Sequence, residues 1–306
     1  MVRRIHLYIS FVVLLGLTAC TTEELVVVDG NDPYSTFNIS DIKIENYVNR
    51  LYIDIVAREP LDTELVVQVN RLKAGGLHRA IRDSIVYALM TDTTFRENEG
   101  SYKAAYTINL YNLAKVRCLE GASDGDIQTR IGILAFGALQ DSLEGNWDAY
   151  YKKQNQIRRN RSVLESQQAL FDGLIVYHQM YGVMIDNSVY DEINMNTFNF
   201  VRATFDQLLW RLPTEQEFDS GFGMIEYNQP VELFGQLGSD KNDYIHILTE
   251  SDEMLEGMLV WCFQVFLSRA PNPEEVVTLL PVYLETKDIN WLIAQILVTD
   301  EYANFR

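Results

Sequence analysis

The sequence predicts an all-α protein: a helical repeat, or orthogonal helix array, of three units, each turned by an Arg-x-Pro corner. Three observations predict this. Apolar residues recur at helical spacing from about residue 41 to the C-terminus. Sustained alternation and Asn-Gly hairpin turns, the marks of half-buried strands, are missing. A corner segment, Arg-Glu-Pro-Leu-Asp-Thr-Glu at 58–64, returns as Arg-Leu-Pro-Thr-Glu-Gln-Glu at 211–217 and as Arg-Ala-Pro-Asn-Pro-Glu-Glu at 269–275. Similarity at fixed offsets is the signature of repeat architecture.

The first element is an export signal. Arg3 and Arg4 precede an apolar run from about Ile9 to Leu17, too short to span a membrane comfortably. Leu17-Thr18-Ala19-Cys20 resembles the lipobox of bacterial lipoproteins. That resemblance implies removal of residues 1–19 and acylation (palmitate) of Cys20. An ordinary signal peptide with an incidental cysteine is the alternative. Glu23 and Glu24, just after the cysteine, resemble the surface-export signals of Bacteroidota lipoproteins. The expectation is a lipid-anchored outer-membrane protein, on the periplasmic face or the cell surface. Without residues 1–19 the chain carries 23 basic and 43 acidic residues, a net charge of −20. Such a chain is repelled by nucleic acid and by anionic headgroups, so its membrane attachment is assigned to the acyl chains.

Residues 20–40 hold few periodic apolar positions and read as a tether. Ser40 or Asp41 is placed to cap the first helix. Within it Val48, Leu51, Tyr52 and Ile55 fall at i, i+3, i+4 and i+7. The first unit is expected over 41–96, a helical middle segment over 97–196, and the second and third units over 197–257 and 258–306. Six residues before each corner arginine stand Tyr52, Phe205 and Phe263; three before stand Ile55, Leu208 and Phe266; two before stand Val56, Leu209 and Leu267. Two after stand Pro60, Pro213 and Pro271. Each unit closes on a similar segment: Thr91-Asp92, Ser251-Asp252 and Thr299-Asp300. In the third unit Trp291, Ile293, Ile296 and Leu297 keep the helical spacing. In the middle segment 101–116 is amphipathic, 126–143 is apolar enough to be expected in the core, and a long helix is expected over about 147–180. That helix carries the chain's one basic cluster, Lys152, Lys153, Arg158, Arg159 and Arg161. It reads as a solvated face paired with acids, or alternatively as a docking strip for an acidic partner.

The corner has a physical reading. An arginine suits the negative end of a helix, and proline stops the helix from continuing. A fresh N-cap follows: Thr214 with Glu217 and Asn272 with Glu275 form capping boxes, Pro273 takes the first helical position, and Asp62 is expected to cap less completely. Each arginine is expected to reach the aspartate that closes its own unit, Arg58 to Asp92, Arg211 to Asp252 and Arg269 to Asp300.

Two families of unknown function share these marks. Leu212-Pro213-Thr214 resembles the corner of the domain that accompanies planctomycete-type cytochrome c domains. Thr299-Asp300-Glu301-Tyr302 is similar to the ending of a short helical module of secreted bacterial proteins. The resemblance covers about half of the mature chain and implies an extracytoplasmic helical module without known catalysis. No Cys-x-x-Cys-His occurs, so no covalent haem is expected.

No other cofactor is expected either. His78, His178 and His246 stand apart from one another and from the cysteines, against a zinc site. The sequence has no nucleophile elbow, phosphate loop or dinucleotide fingerprint. Asp124-Gly125-Asp126 starts like a calcium loop but lacks the later ligands, and is expected to cap a helix. Cys118 and Cys262 are either a disulfide or two buried thiols. Trp147, Trp210, Trp261 and Trp291, with 17 tyrosines, could floor a sugar site, but at helical spacing most of them are expected in the core. Asp83-Ser84-Ile85, Asp92-Thr93-Thr94 and Asp141-Ser142-Leu143 resemble Bacteroidota O-glycosylation motifs, though helical placement counts against them. The expected function is non-catalytic: an interaction or structural subunit of an envelope complex, with an outer-membrane or periplasmic protein as partner. The alternatives are a glycan-binding accessory protein, or a hydrolase using carboxylates such as Glu215, Glu217 or Glu226.

Overall fold

Fifteen α-helices, one π-helical turn and one short hairpin make up the described part of this computed structural model, residues 39–305 without 98 and 99. The lipobox, Cys20 and nearly all of the expected tether lie outside the described residues. The fold is all-α. The first unit holds α1 (Asp41–Val56), α2 (Asp62–Ala74) and α3 (Arg79–Thr91). The middle segment holds α4 (Tyr102–Leu119), α5 (Asp124–Glu144), α6 (Trp147–Phe171), α7 (Tyr177–Ile185) and α8 (Ser188–Asn194). The second unit begins with α9 (Thr197–Thr204), which runs into the π turn Phe205–Leu209. It continues through α10 (Glu215–Tyr227), the hairpin β1 (Val231–Leu233) and β2 (Gln236–Gly238), and α11 (Lys241–Glu250). The third holds α12 (Asp252–Leu267), α13 (Pro273–Thr286), α14 (Ile289–Leu297) and α15 (Asp300–Ala303). No described helix is long and apolar enough to cross a membrane.

In the first and third units the leading helix packs on both helices that follow it. The next helix in the chain then returns to the leading helix: α4 to α1, α12 to the π turn, and α15 to α12. Because of this return, the second and third units overlap. Ser251, in the closing segment of the second unit, is the N-cap of α12, which is the leading helix of the third. The boundary expected after residue 257 therefore falls inside one continuous helix. In the first unit Asp92 ends α3 without starting a helix. The returning helix α4 is capped instead by Ser101.

Other local expectations need correcting. Asp62 is the first residue of α2 and Leu61 stands at its N-cap. A leucine offers no side-chain acceptor, so only the reverse half of a capping box exists there, Leu61 N–H donating to Glu64. Asp126 closes a capping box with Ser123, while Asp124 is drawn off to Lys115 and Tyr111. The helix expected over 147–180 ends at Phe171. Gly173, at a positive φ of 71°, turns the chain before α7 begins.

The largest correction concerns α5. Its apolar run is expected in the core, yet only Ile127, Ile131 and Ala138 are buried. Ile133 and Phe136 are each 65% exposed, Leu139 56% and Leu143 80%. The helix packs chiefly on α6 and turns its second apolar stripe outward.

The core runs through all three units and the middle segment. It takes in Val48, Leu51, Tyr52 and Ile55 as well as Ile293, Ile296 and Leu297, while Trp291 packs at its margin. Tyrosine carries much of it, and most buried hydroxyls find a partner. Tyr177 donates to Leu110 O, Tyr190 to Gln207 and Tyr111 to Asp124. The first helix meets the last: Tyr47 donates to Leu297 O, Tyr302 donates to Asp54, and Arg50 donates to Phe266 O and Tyr302 O. Cys118 and Cys262 are separate free thiols, both buried. Burial pushes the Cys118 thiol up to about 12 and that of Cys262 well above its ordinary value, so both stay protonated and inert.

The tightest crossing lies where α12 meets the π turn. A Cβ added to Gly257 would stand 2.1 Å from Leu208 O and 3.0 Å from Leu209 Cα, both backbone atoms that cannot swing aside. Gly257→Ala is expected to cost about 3 kcal/mol or more, despite the better helix propensity of alanine. Urea unfolding checks this; an unchanged midpoint would show that the crossing is looser than described.

Candidate functional site

The three corners fold alike. Each leading helix ends in a residue with left-handed backbone: Ala57 at φ 58°, Trp210 at 57° and Ser268 at 55°. The arginine that follows turns back over the aromatic ring six residues earlier, Arg58 over Tyr52, Arg211 over Phe205 and Arg269 over Phe263, at 5.6, 5.2 and 5.1 Å. Its Nη1 donates to the next residue's carbonyl, Glu59, Leu212 or Ala270. Its Nη1 and Nη2 then grip, as a fork, the glutamate six residues later. These pairs are Arg58 with Glu64 at 2.8 and 2.9 Å, Arg211 with Glu217 at 2.8 and 2.7 Å, and Arg269 with Glu275 at 2.8 and 2.6 Å. The same glutamate accepts the N-cap N–H of the second helix, from Leu61, Thr214 or Asn272. Pro60, Pro213 and Pro271 stand in the non-helical stretch that the clasp spans.

The aspartates expected as partners are not the groups gripped. Arg211 places Nε and Nη2 on Glu253, at 2.9 and 2.5 Å, and Arg269 places the same atoms on Glu301, both at 2.7 Å. Each is the residue after the predicted aspartate. With Ser251 and Thr299 as N-caps, Asp252 and Asp300 are the first residues of their helices and the glutamates the second. One step along a helix rotates a side chain by about 100°, which turns the glutamate and not the aspartate towards the corner. Asp300 faces the first unit, where the nearly buried Arg82 meets it at 2.8 Å. In the first unit the glutamate position is Thr93, and Asp92 is bonded to Arg96 at 2.6 Å. Tyr102, at the start of the returning helix, donates its hydroxyl to Glu64 instead.

Charge follows this geometry. The Arg211 fork holds the Glu217 carboxyl down at about 2, and Arg269 holds Glu275 below the ordinary range. Burial works against Glu64, but hydrogen bonds from Arg58, Tyr102 and Leu61 N–H outweigh it and keep its carboxyl low. The Thr94 hydroxyl and N–H, with Arg96, bring Asp92 down to about 2.

The groups singled out for chemistry do not converge. Glu217 is committed to Arg211, Glu226 takes the Thr197 hydroxyl, and Glu215 is an exposed first-turn acid. Burial lowers the pKa of His178, which sits 3.6 Å from Glu250 and is neutral near pH 7. Among the described residues no group of three His, Cys, Asp or Glu side chains could hold a metal. Trp261 is buried and Trp147 is 53% exposed. Ser84 and Ser142 lie within α3 and α5, and Thr93 in the non-helical stretch just after α3.

What the surface does offer is the hairpin of α5 and α6. From 131 to 140, along the outward stripe of α5, no residue is charged. The flanking charges are satisfied elsewhere, Arg130 by Glu192 and Asp141 by Lys153. The stripe from Ile133 to Leu143 is about 15 Å long. Comparison with protein-family models, curated proteins and solved structures gave no match.

Two measurements check the clasp. In a double-mutant cycle, Arg269→Ala with Glu301→Ala is expected to couple by about 1–2 kcal/mol, as a part-buried pair should. Arg269→Ala with Asp300→Ala should couple by less than about 0.5 kcal/mol; equal coupling would return the aspartate to the partner's role. The second is acid stability. Carboxyls held low in the fold stabilise it fully above their unfolded pKa, near 4.3, and cease to do so as pH falls through the folded value. Stability should therefore drop between about pH 4.5 and pH 2, and Glu217→Gln should flatten that drop; an unaltered slope would contradict the assignment.

Proposed function

We propose that the chain is a non-catalytic, lipid-anchored outer-membrane protein that serves as an interaction or structural subunit of an envelope complex. The observation that carries this reading is the outward apolar stripe of α5. Ile133, Phe136 and Leu139 stand on a charge-free stretch, and Leu143 continues their stripe beyond Asp141, in a chain whose net charge is strongly negative. Exposed apolar area gathered on one helix face marks a surface that another molecule covers. Helical repeats supply a rigid frame for such a face. The lipobox supports anchoring through Cys20, and the acidity speaks against nucleic acid as the partner. The repeated arginines support the fold and leave no free fork for chemistry.

The glycan-binding alternative has narrower support. Phe136, Trp147 and Tyr151 are exposed aromatics on the same hairpin, but the apolar stripe of α5 is mostly aliphatic, which suits a protein surface better than a sugar ring.

Purification from native outer membranes tests the reading. The wild-type chain is expected in the membrane fraction with a co-purifying protein in defined ratio. Phe136→Ser with Leu139→Ser should lose that protein without lowering the unfolding midpoint, because both side chains are already in water. Cys20→Ser should move the chain to the soluble periplasm. A wild-type chain that purifies alone, or a Cys20→Ser chain that stays in the membrane, would overturn the corresponding half of the proposal.

A further inference from the structure

A second face of the same hairpin carries a different chemistry. Trp147, Tyr151, Gln154, Arg158 and Arg161 lie at i, i+4, i+7, i+11 and i+14 of α6, which puts them on one side of the helix over about 21 Å. All five are exposed. Trp147 and Tyr151 are braced through Tyr150, by edge contacts at 5.8 and 5.2 Å. Trp, Tyr and Arg together are the residues most enriched where protein surfaces bind one another.

The charge pattern is the more informative part. Acids outnumber bases in this chain by 43 to 25, so a base is expected to find an acid nearby. Most do: Arg82, Arg96, Lys115, Arg130, Lys153, Arg159 and Lys241 all pair with carboxylates. Arg161 does not, and Arg158 feels Asp186 across a cleft without closing an ion pair. Among the described residues neither has an ion-pair partner, and Arg158 donates to Asn155 of its own helix. Only Glu165 follows on that side, at the C-terminal end of the stripe. Beside Arg158 opens a cleft of about 270 Å³, bounded by Arg159, Ser162, Asp186, Asn242 and His246. Arg159 crosses it to Asp186 at 2.6 Å and Asn242 at 2.8 Å, and its Nε is buried without an acceptor.

We propose that this face of α6 is the docking site for an acidic segment of a partner protein, the aromatics packing on its backbone and Arg158 and Arg161 receiving its carboxylates. The proposal rests on the reading of the chain as an interaction subunit and says which chemistry the partner must present. Charge complementarity selects the occupant. An arginine fork takes a carboxylate in two parallel hydrogen bonds, and in an acidic protein two exposed arginines without an ion pair, side by side on one helix face, favour an incoming acid. A second copy of the chain would bring its own large negative charge, and repulsion between the copies opposes it.

The test is photo-cross-linking in the native envelope, with benzoylphenylalanine at position 151 of the full chain and a control at the exposed Val277 of α13. The expected result is a cross-link from 151, and not from 277, to a protein peptide rich in Asp and Glu. Its yield should fall at least tenfold in Arg158→Glu with Arg161→Glu, at an unchanged unfolding midpoint. Should the glutamates disturb folding, Arg158→Gln with Arg161→Gln gives the same reading. A cross-link to a second copy, to lipid or to a segment without acids overturns the proposal, as does a yield indifferent to charge reversal. Cross-links from Phe136 alone would overturn this docking site and leave the interaction reading standing. Their absence from every position would sink both.

Discussion

Each unit hangs on one contact, an arginine fork closed on a capping glutamate across a proline corner. The contact answers three needs at once. It neutralises an acid that the second helix requires at its start, and it covers the aromatic ring of the first helix. It also fixes the direction between the two. A non-glycine residue in left-handed backbone costs about 1–2 kcal/mol, and every corner contains one, Ala57, Trp210 or Ser268. The arginine follows that residue directly, and its fork ties the helix before the turn to the helix after it.

The second grip extends the clasp from two helices to three. Glu253 and Glu301 belong to the helix that returns at the end of the unit, so Arg211 and Arg269 hold the leading, second and returning helices together. Because the returning helix of the second unit, α12, is the leading helix of the third, the two clasps share a helix. The first unit departs from this pattern: α4 starts from Ser101 and not at the closing Asp92, and a tyrosine hydroxyl meets Glu64. Arg82 with Asp300 and Arg50 with the C-terminal carbonyls then join the first unit to the third.

Much of this was legible in the sequence, and the failures have physical causes. Periodicity reported the helices, and the offsets of Tyr52, Phe205 and Phe263 from the arginines reported a ring that the structure places beneath each guanidinium. The Thr214 and Asn272 caps were readable because a capping box is local. The arginine's partner was not, because choosing between Asp300 and Glu301 requires knowing which residue caps α15 and hence which side chain turns inward. The exposed stripe of α5 was misjudged for a different reason. Periodicity shows that a helix has an apolar face but not what covers it, and α5 has two such faces with one neighbour. The hairpin β1–β2 is too short for alternation to register.

The account makes the geometry of the fork, and not its charge, the holding element. A lysine keeps the charge and loses the plane, so it can meet one carboxylate but cannot hold two in fixed directions. Urea stability of Arg211→Lys and Arg269→Lys, each beside its alanine counterpart, is the most direct measurement. The account predicts that each lysine variant loses most of what the alanine variant loses. Lysine variants as stable as the wild-type chain would show that charge alone holds the corner, and that the three-helix clasp is incidental.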